Sequence, residues 1–229
     1  MRREGYIIEE IIDYSNMLES FNYVMRGTKR KSSAIGIYLM ENKELVIQQL
    51  QKEIGEATFK ISSYREYKLY EWGKERIIQV IPLRERIALN AIMRVVEKHL
   101  VKRFIADSAA GLKGRRLHYL FYRMVHDIKS SPQETRYIYK CDIRKFYMRI
   151  NQVIMMEVIR KYFKDKKLIM LLDRCVTMLP KGLSIGLRTS QALGNLLLNY
   201  YVDHKLKDQY GVKYYRRYCD DELFQATTP

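Results

Sequence analysis

YYRRYCDD, residues 214–221, decides how this chain is read. It is an aromatic and basic run that stops on two adjacent carboxylates, Asp220 and Asp221. A strand can carry such a run into a core, but neighbouring carboxylates are costly to bury unless a cation compensates them. Gly211 punctuates the chain just before, and ELF follows, so the spacing predicts a hairpin with the aspartates at or near its turn. A second β-rich run, TRYIYKCDIRKFY (135–147), reaches Asp142 and then a polar turn. Were the two strands neighbours, Asp142, Asp220 and Asp221 would converge at one sheet edge. On spacing alone, adjacent aspartates in a turn are more often simply solvated.

The rest of the chain sets the context. Lys and Arg total 42 against 26 Asp and Glu, a formal charge of +16 in 229 residues. Such a surplus points to a polyanion, either nucleic acid or an anionic membrane surface. No apolar run approaches a membrane span, and MRREGYIIEEIIDYS lacks a signal-peptide core, so nucleic acid and a cytoplasmic location are the expectation. Cys141, Cys175 and Cys219 are odd in number and lack CxxC spacing, which argues for a reducing compartment and against structural zinc. The four histidines do not cluster. Nineteen tyrosines among basic residues suit base and sugar stacking, although most are ordinary half-buried tyrosines.

Along the chain, the first 30 residues mix apolar and charged positions in a helical manner, and GTKRKSS (27–33) reads as a basic loop. A helix is expected over 38–56, then two strands around Gly73 within 57–82. After Pro82 an amphipathic helix places Ile87, Ala91, Val95 and His99 on one face. Further helices are expected over 114–129, 152–163 and 168–178, and KGLSIGLRTS (181–190) reads as a loop. Ser190 is a candidate N-cap for the helix that follows. Strands and helices intermingle without βα alternation, which favours an α+β fold.

Three carboxylates at one edge repel one another, and Mg2+ with its hard oxygen ligands relieves that conflict. Two such ions about 4 Å apart are the usual arrangement for in-line phosphoryl transfer. The flanking residues add weight. WGKERIIQVIPLRERIALNAI (72–92), with GRRLH (114–118), then DIRKFY (142–147), GLSIGLRTSQALGN (182–195) and YCDD (218–221) resemble, in this order, the motifs of the reverse-transcriptase family of RNA-directed DNA polymerases. The resemblance covers about residues 55–225. It implies an α+β right-hand polymerase: a helical and basic extension at 1–56, fingers at 57–134 and an incomplete, ferredoxin-like palm at 135–229.

The resemblance also implies roles. Asp142 and Asp220 would be metal ligands for two Mg2+ ions (or Mn2+), with Asp221 in support and the Ile143 carbonyl facing the metal. Lys74 and Arg76 would grip the incoming triphosphate, two cations against a tetra-anion. Tyr147 would be the ring beneath the sugar that excludes a 2′-hydroxyl. Gly186 would line the nucleotide site, and Tyr218, Ser190 and Gln191 would contact primer and template. Implied partners are an RNA template, a DNA or RNA primer, dNTPs and a basic accessory protein, with no membrane.

The middle motif departs from most of the family, which has glutamine before its glycine and proline after its serine. Here Ile185 and Gln191 stand in those places. That pattern resembles the reverse transcriptases of diversity-generating retroelements; a group II intron-like or defence enzyme is the alternative. An isoleucine offers shape where glutamine offers a hydrogen bond, so discrimination between paired and mispaired geometries should loosen. Only ELFQATTP follows the aspartate pair, where the family continues into a primer grip and thumb. A truncated chain without a thumb is therefore expected, and a weakly catalytic nucleic-acid-binding remnant is the competing function.

Overall fold

The structure, a computed structural model, describes residues 3–71, 73–112 and 114–228. Trp72 of the fingers motif and the terminal Pro229 lie outside the described residues. In chain order the elements are α1 (Ile7–Ile12), α2 (Tyr14–Val24), α3 (Thr28–Lys31), α4 (Ala34–Glu41), α5 (Lys43–Gly55), β1 (Arg65–Glu71), β2 (Lys74–Val80), α6 (Leu83–Val101), β3 (Ser108–Ala109), α7 (Leu117–Ser130), β4 (Tyr137–Asp142), α8 (Phe146–Arg149), α9 (Gln152–Tyr162), α10 (Lys166–Val176), α11 (Arg188–Leu198), β5 (Tyr215–Tyr218) and β6 (Asp221–Ala226). After α11 the helix widens into π-helical turns at Asn199–Asp203 and Lys205–Gln209. The α+β class expected from the sequence is the one observed.

The chain divides into two compact units, residues 1–99 with 150–190 and residues 100–149 with 191–229. The first is built on helices. Ile7, Ile11, Met17, Phe21, Val46, Ile47, Leu50, Ile54, Leu168 and Leu172 are buried, the inward stripes of α1, α2, α5 and α10. One carboxylate serves two helix starts: Asp165 accepts from the amides of Lys167 and Leu168 through Oδ1 and from those of Ile7 and Ile8 through Oδ2. β1 and β2 form an antiparallel hairpin in which Glu71 faces Lys74 and Glu66 faces Gln79. The second unit is built on a sheet of order β3-β5-β6-β4, in which β3 runs parallel to β5 and the other pairs are antiparallel.

Four local expectations change. The strand expected from residue 57 begins at Arg65, because Arg174 donates to the carbonyls of Ala57 and Phe59 at 2.5 and 2.7 Å and takes them out of any ladder. The helix expected over 38–56 breaks at Asn42, whose side chain donates to the Tyr38 carbonyl at 2.9 Å. The loop expected at 27–33 contains one helical turn, closed by the amides of Arg30 and Lys31 on the Gly27 carbonyl. Ser190 is not an N-cap: α11 starts at Arg188, which is held by Glu97 through two bonds of 2.7 and 2.5 Å, and Ser190 lies buried inside it. No helix among the described residues is long and apolar enough to cross a membrane.

Candidate functional site

The hairpin of the opening stretch forms as expected, β5 and β6 joined by a two-residue turn of Cys219 and Asp220. Such turns need a left-handed first residue to match the strand twist. Cys219 supplies it at φ 57, where a residue with a Cβ costs about 1–3 kcal/mol. On the other side of β6, Asp221 lies directly opposite Asp142 of β4. Directly opposed residues of an antiparallel pair share a face, so these two carboxylates sit side by side at the sheet end, with Asp220 in the adjoining turn. The two strands considered from the sequence, β4 and β5, are not direct neighbours: β6 lies between them, and its first residue, Asp221, is the one opposite Asp142.

The cation that compensates the pair is lysine. Lys140, two residues before Asp142 and on the same face, puts Nζ 3.0 Å from Asp221 Oδ1. The Asp221 carboxylate holds the Lys140 ammonium above its ordinary pKa, with Asp142 adding to the effect. Both side chains are about half exposed or more, so neither pays the full desolvation that the sequence alone suggests.

The arginines of the stretch do different work. Arg217 is fully buried and makes a bidentate pair with Asp203 at 2.8 and 2.6 Å. Its remaining donor bonds reach Asn195 Oδ1 at 2.8 Å and the Cys219 carbonyl at 2.7 Å. Tyr215 donates to Asp203 at 2.8 Å, and Asn195 donates to the Ala110 carbonyl at 3.0 Å. Burial opposes the Arg217 charge, and the Asp203 carboxylate outweighs it, leaving the guanidinium above its ordinary pKa. This closed network ties the left-handed turn residue to α11 and the π-helical segment. Arg216 is spent on Asp127 and Gln225.

Beside the turn stands Tyr147 of α8. Its hydroxyl is 3.0 Å from Cys219 Sγ. A Cβ added to Gly194 would come within 2.9 Å of the Phe146 ring and 3.2 Å of the Tyr147 ring, so both rings lie flush on the bare backbone of α11. Burial pushes the Tyr147 hydroxyl far above its ordinary value, with Cys219 adding to the shift. Burial likewise raises the Cys219 thiol. Ile143 is half-buried in the link from β4 to α8, Tyr218 is exposed at the end of β5, and Gln191 lies against Gly111. Asp142, Ile143, Tyr147, Gln191, Tyr218, Asp220 and Asp221 all belong to the second unit.

Lys74, Arg76, Ile185, Gly186 and Ser190 belong to the first. Lys74 and Arg76 are exposed on β2, and Arg76 makes a 3.4 Å ion pair with Glu71 across the hairpin. Ile185 and Gly186 lie in the loop before α11. Gly186 needs its lack of a side chain for φ 98 and sits over Ile78. Gln79 holds this loop through bonds to Ser184 and Ile185.

Whether the carboxylates suit a metal can be asked of their chemistry. They are hard oxygen donors, accessible, and already attract a cation in the form of the Lys140 ammonium, which is what Mg2+ favours. Among the described residues, however, no three His, Cys, Asp or Glu side chains are gathered into a group that could hold an ion. The donor set fits; Asp142, Asp220 and Asp221 would have to draw in around the metal, Asp221 leaving Lys140. The sequence reading missed Arg217, Asp203, Asn195, Gly194 and Gln79. The one signal for Arg217 was strand alternation, which puts it on the inward side with Tyr215.

No protein-family model and no curated protein matches this chain. Among solved structures it is similar to a Sicinivirus 3Dpol RNA-dependent RNA polymerase, with TM-score 0.50 and 15% identity over 78% of this chain and 43% of that one. It also aligns at TM-score 0.48 and 14% identity, over 96% of its length, with chains of a Cas6-RT-Cas1–Cas2 complex and of a partial one, covering 24% and 38% of them. This chain spans less than half the length of the solved chains it matches. The likeness to the viral polymerase shows the fold: this is a polymerase-like α+β chain with a fingers hairpin and a palm sheet.

Proposed function

We propose that the chain is an RNA-directed DNA polymerase, of the kind found in diversity-generating retroelements. One observation carries the reading: Asp142 and Asp221 are side by side at the end of the palm sheet, with Asp220 in the turn fastened by Arg217. Asp142, Asp220 and Asp221, with the Ile143 carbonyl, would hold two Mg2+ ions (or Mn2+). Bound there, the ions would supply Lewis-acid stabilisation of the 3′-hydroxyl and of the leaving pyrophosphate. Lys74 and Arg76 bind the triphosphate, Arg76 exchanging Glu71 for phosphate. Tyr147, backed by Gly194, blocks a 2′-hydroxyl. Gly186 lines the nucleotide site, and Ser190, Gln191 and Tyr218 contact primer and template. Partners are an RNA template, a DNA or RNA primer and dNTPs, with a basic accessory protein. The +16 charge supports a polyanion partner.

The test is extension of a DNA primer on an RNA template with Mg2+, using Asp220→Ala as control. Extension that the control abolishes is expected. Equal RNA binding by both proteins with no extension by either would instead favour a nucleic-acid-binding remnant. The retroelement reading rests on Ile185. Misincorporation opposite template adenine should fall in Ile185→Gln, and an unchanged error rate would remove that reading while leaving the polymerase.

A further inference from the structure

Gln79 is the first buried residue of β2 counted from the turn; positions 74–77 are exposed and Ile78 is half-buried. All of β1 is exposed. Among the described residues of this hairpin, Gln79 is thus the buried anchor from which the tip, with Lys74 and Arg76, projects. At that anchor the Gln79 amide donates to the Ile185 carbonyl at 3.1 Å. Its side-chain Oε1 accepts from the Ile185 amide at 3.1 Å and from the Ser184 hydroxyl at 3.0 Å. Its Nε2 donates to Oε1 of Glu66, the cross-strand partner, at 3.1 Å. One residue thus holds both polar groups of the Ile185 backbone and ties them to both strands. Gly186, next in the loop, rests over Ile78 with no side chain between.

We infer that Gln79 is a positioning residue for nucleotide selection, coupling the hairpin with Lys74 and Arg76 to the loop with Ile185 and Gly186. This rests on the polymerase reading. Arg76 is about 10 Å of strand from Gln79, and Lys74 about 17 Å. A triphosphate that pulls on the tip turns the strand about this anchor, and the loop, bonded to the anchor on both backbone groups, turns with it. Ile185 thereby meets the nucleotide in a position set by the grip on its phosphates. A glutamine that merely satisfied a buried polar site would hold the loop still and leave the hairpin tip independent of it.

The experiment compares amide hydrogen exchange and single-nucleotide kinetics in wild type, Gln79→Leu and the exchanged pair Glu66→Gln/Gln79→Glu. The exchanged pair keeps an acceptor at 79 for Ser184 and Ile185 and reverses the donor direction to 66. Without ligand, exchange over 183–187 should rise about tenfold or more in Gln79→Leu and return toward wild type in the exchanged pair, with α9 and α10 unchanged. With primer, RNA template and matched dNTP, wild type should slow exchange in 65–80 and 183–187 together; Gln79→Leu should slow only the hairpin. In kinetics, the ratio of kcat/KM for matched over mismatched dNTP should drop about tenfold in Gln79→Leu, mainly through KM, and recover in the exchanged pair. Equal loop exchange in wild type and Gln79→Leu, or loop protection by dNTP that survives the substitution, overturns the inference. No dNTP protection of the hairpin in wild type overturns the polymerase reading and the inference with it, a result distinct from the first two.

Discussion

At the scale of single residues, Tyr147 is held by what its neighbours lack. Gly194 has no Cβ, and Cys219 contributes a thiol at hydrogen-bond distance. Gly194→Ala would drive a methyl into the Phe146 and Tyr147 rings. Overpacking of this kind costs about 1–3 kcal/mol, and the melting curve should record it. The displaced ring should also raise incorporation of ribonucleotides relative to deoxynucleotides on an RNA template; an unchanged ratio would separate Tyr147 from sugar selection. The identity of Tyr147 was legible, because an aromatic five residues after an aspartate is part of a motif. Its support was not legible, because a glycine in the middle of LGNLL looks like any tolerated helix glycine. Arg217 was nearly as well hidden: YYRRY reads as a basic strand, alternation alone sets Arg217 on the side of Tyr215, and its partner Asp203 lies 14 residues away in sequence.

Elements carry two predictions of their own. Asp165 caps α10 and the start of α1 at once, so Asp165→Ala removes two caps and should cost about 2 kcal/mol in a denaturant titration, against about 1 for an ordinary cap. The second lies between the π-helical turns. His204 faces Asp208 at 2.7 Å through Nδ1 and the Arg103 carbonyl at 3.0 Å through Nε2, so both nitrogens donate to their acceptors at once only when the ring is protonated. Partial burial works against that charge, and Asp208 and the carbonyl prevail, holding the pKa above its ordinary value. A raised folded pKa stabilises fully below the unfolded value and fades as pH climbs through the folded one. Wild type should therefore melt above His204→Gln at about pH 6, and the gap should narrow at about pH 9; a gap that widens with pH would contradict the assignment. The stretch after the 181–190 loop, SQALGNLLLNYYVDHKLK, reads as one helix, but nothing in its residue order distinguishes α from π geometry. The hairpin turns and the α6 stripe were legible because strand alternation and helical spacing are written directly in residue order. The start of β1 was not, because the Arg174 side chain that claims the preceding carbonyls comes from 115 and 117 residues away.

At the scale of the whole molecule, charge is the property that composition foretells and the fold does not alter. With +16, affinity for an RNA–DNA duplex should fall steeply with salt, and the slope of log K against log salt should count the phosphates neutralised. Lys74 and Arg76 changed together to alanine should weaken dNTP use far more than duplex binding, since they are assigned to the triphosphate. The polymerase-like fold was legible because YCDD stood in order with three other motifs along the chain. The register that sets Asp221 opposite Asp142 was not, since a one-residue slip in pairing leaves every motif intact.

The central claim is that Asp142, Asp220 and Asp221 form one nucleotidyl-transfer site. It is tested most directly by the single-turnover rate of one dNTP addition to a primer on an RNA template, in wild type and in Asp142→Asn, Asp220→Asn and Asp221→Asn. Losing an ion-holding carboxylate forfeits several kcal/mol of transition-state stabilisation, so Asp142→Asn and Asp220→Asn should each fall by about a thousandfold or more, and Asp221→Asn by less. Addition that persists within a few-fold of wild type in either Asp142→Asn or Asp220→Asn would contradict the account.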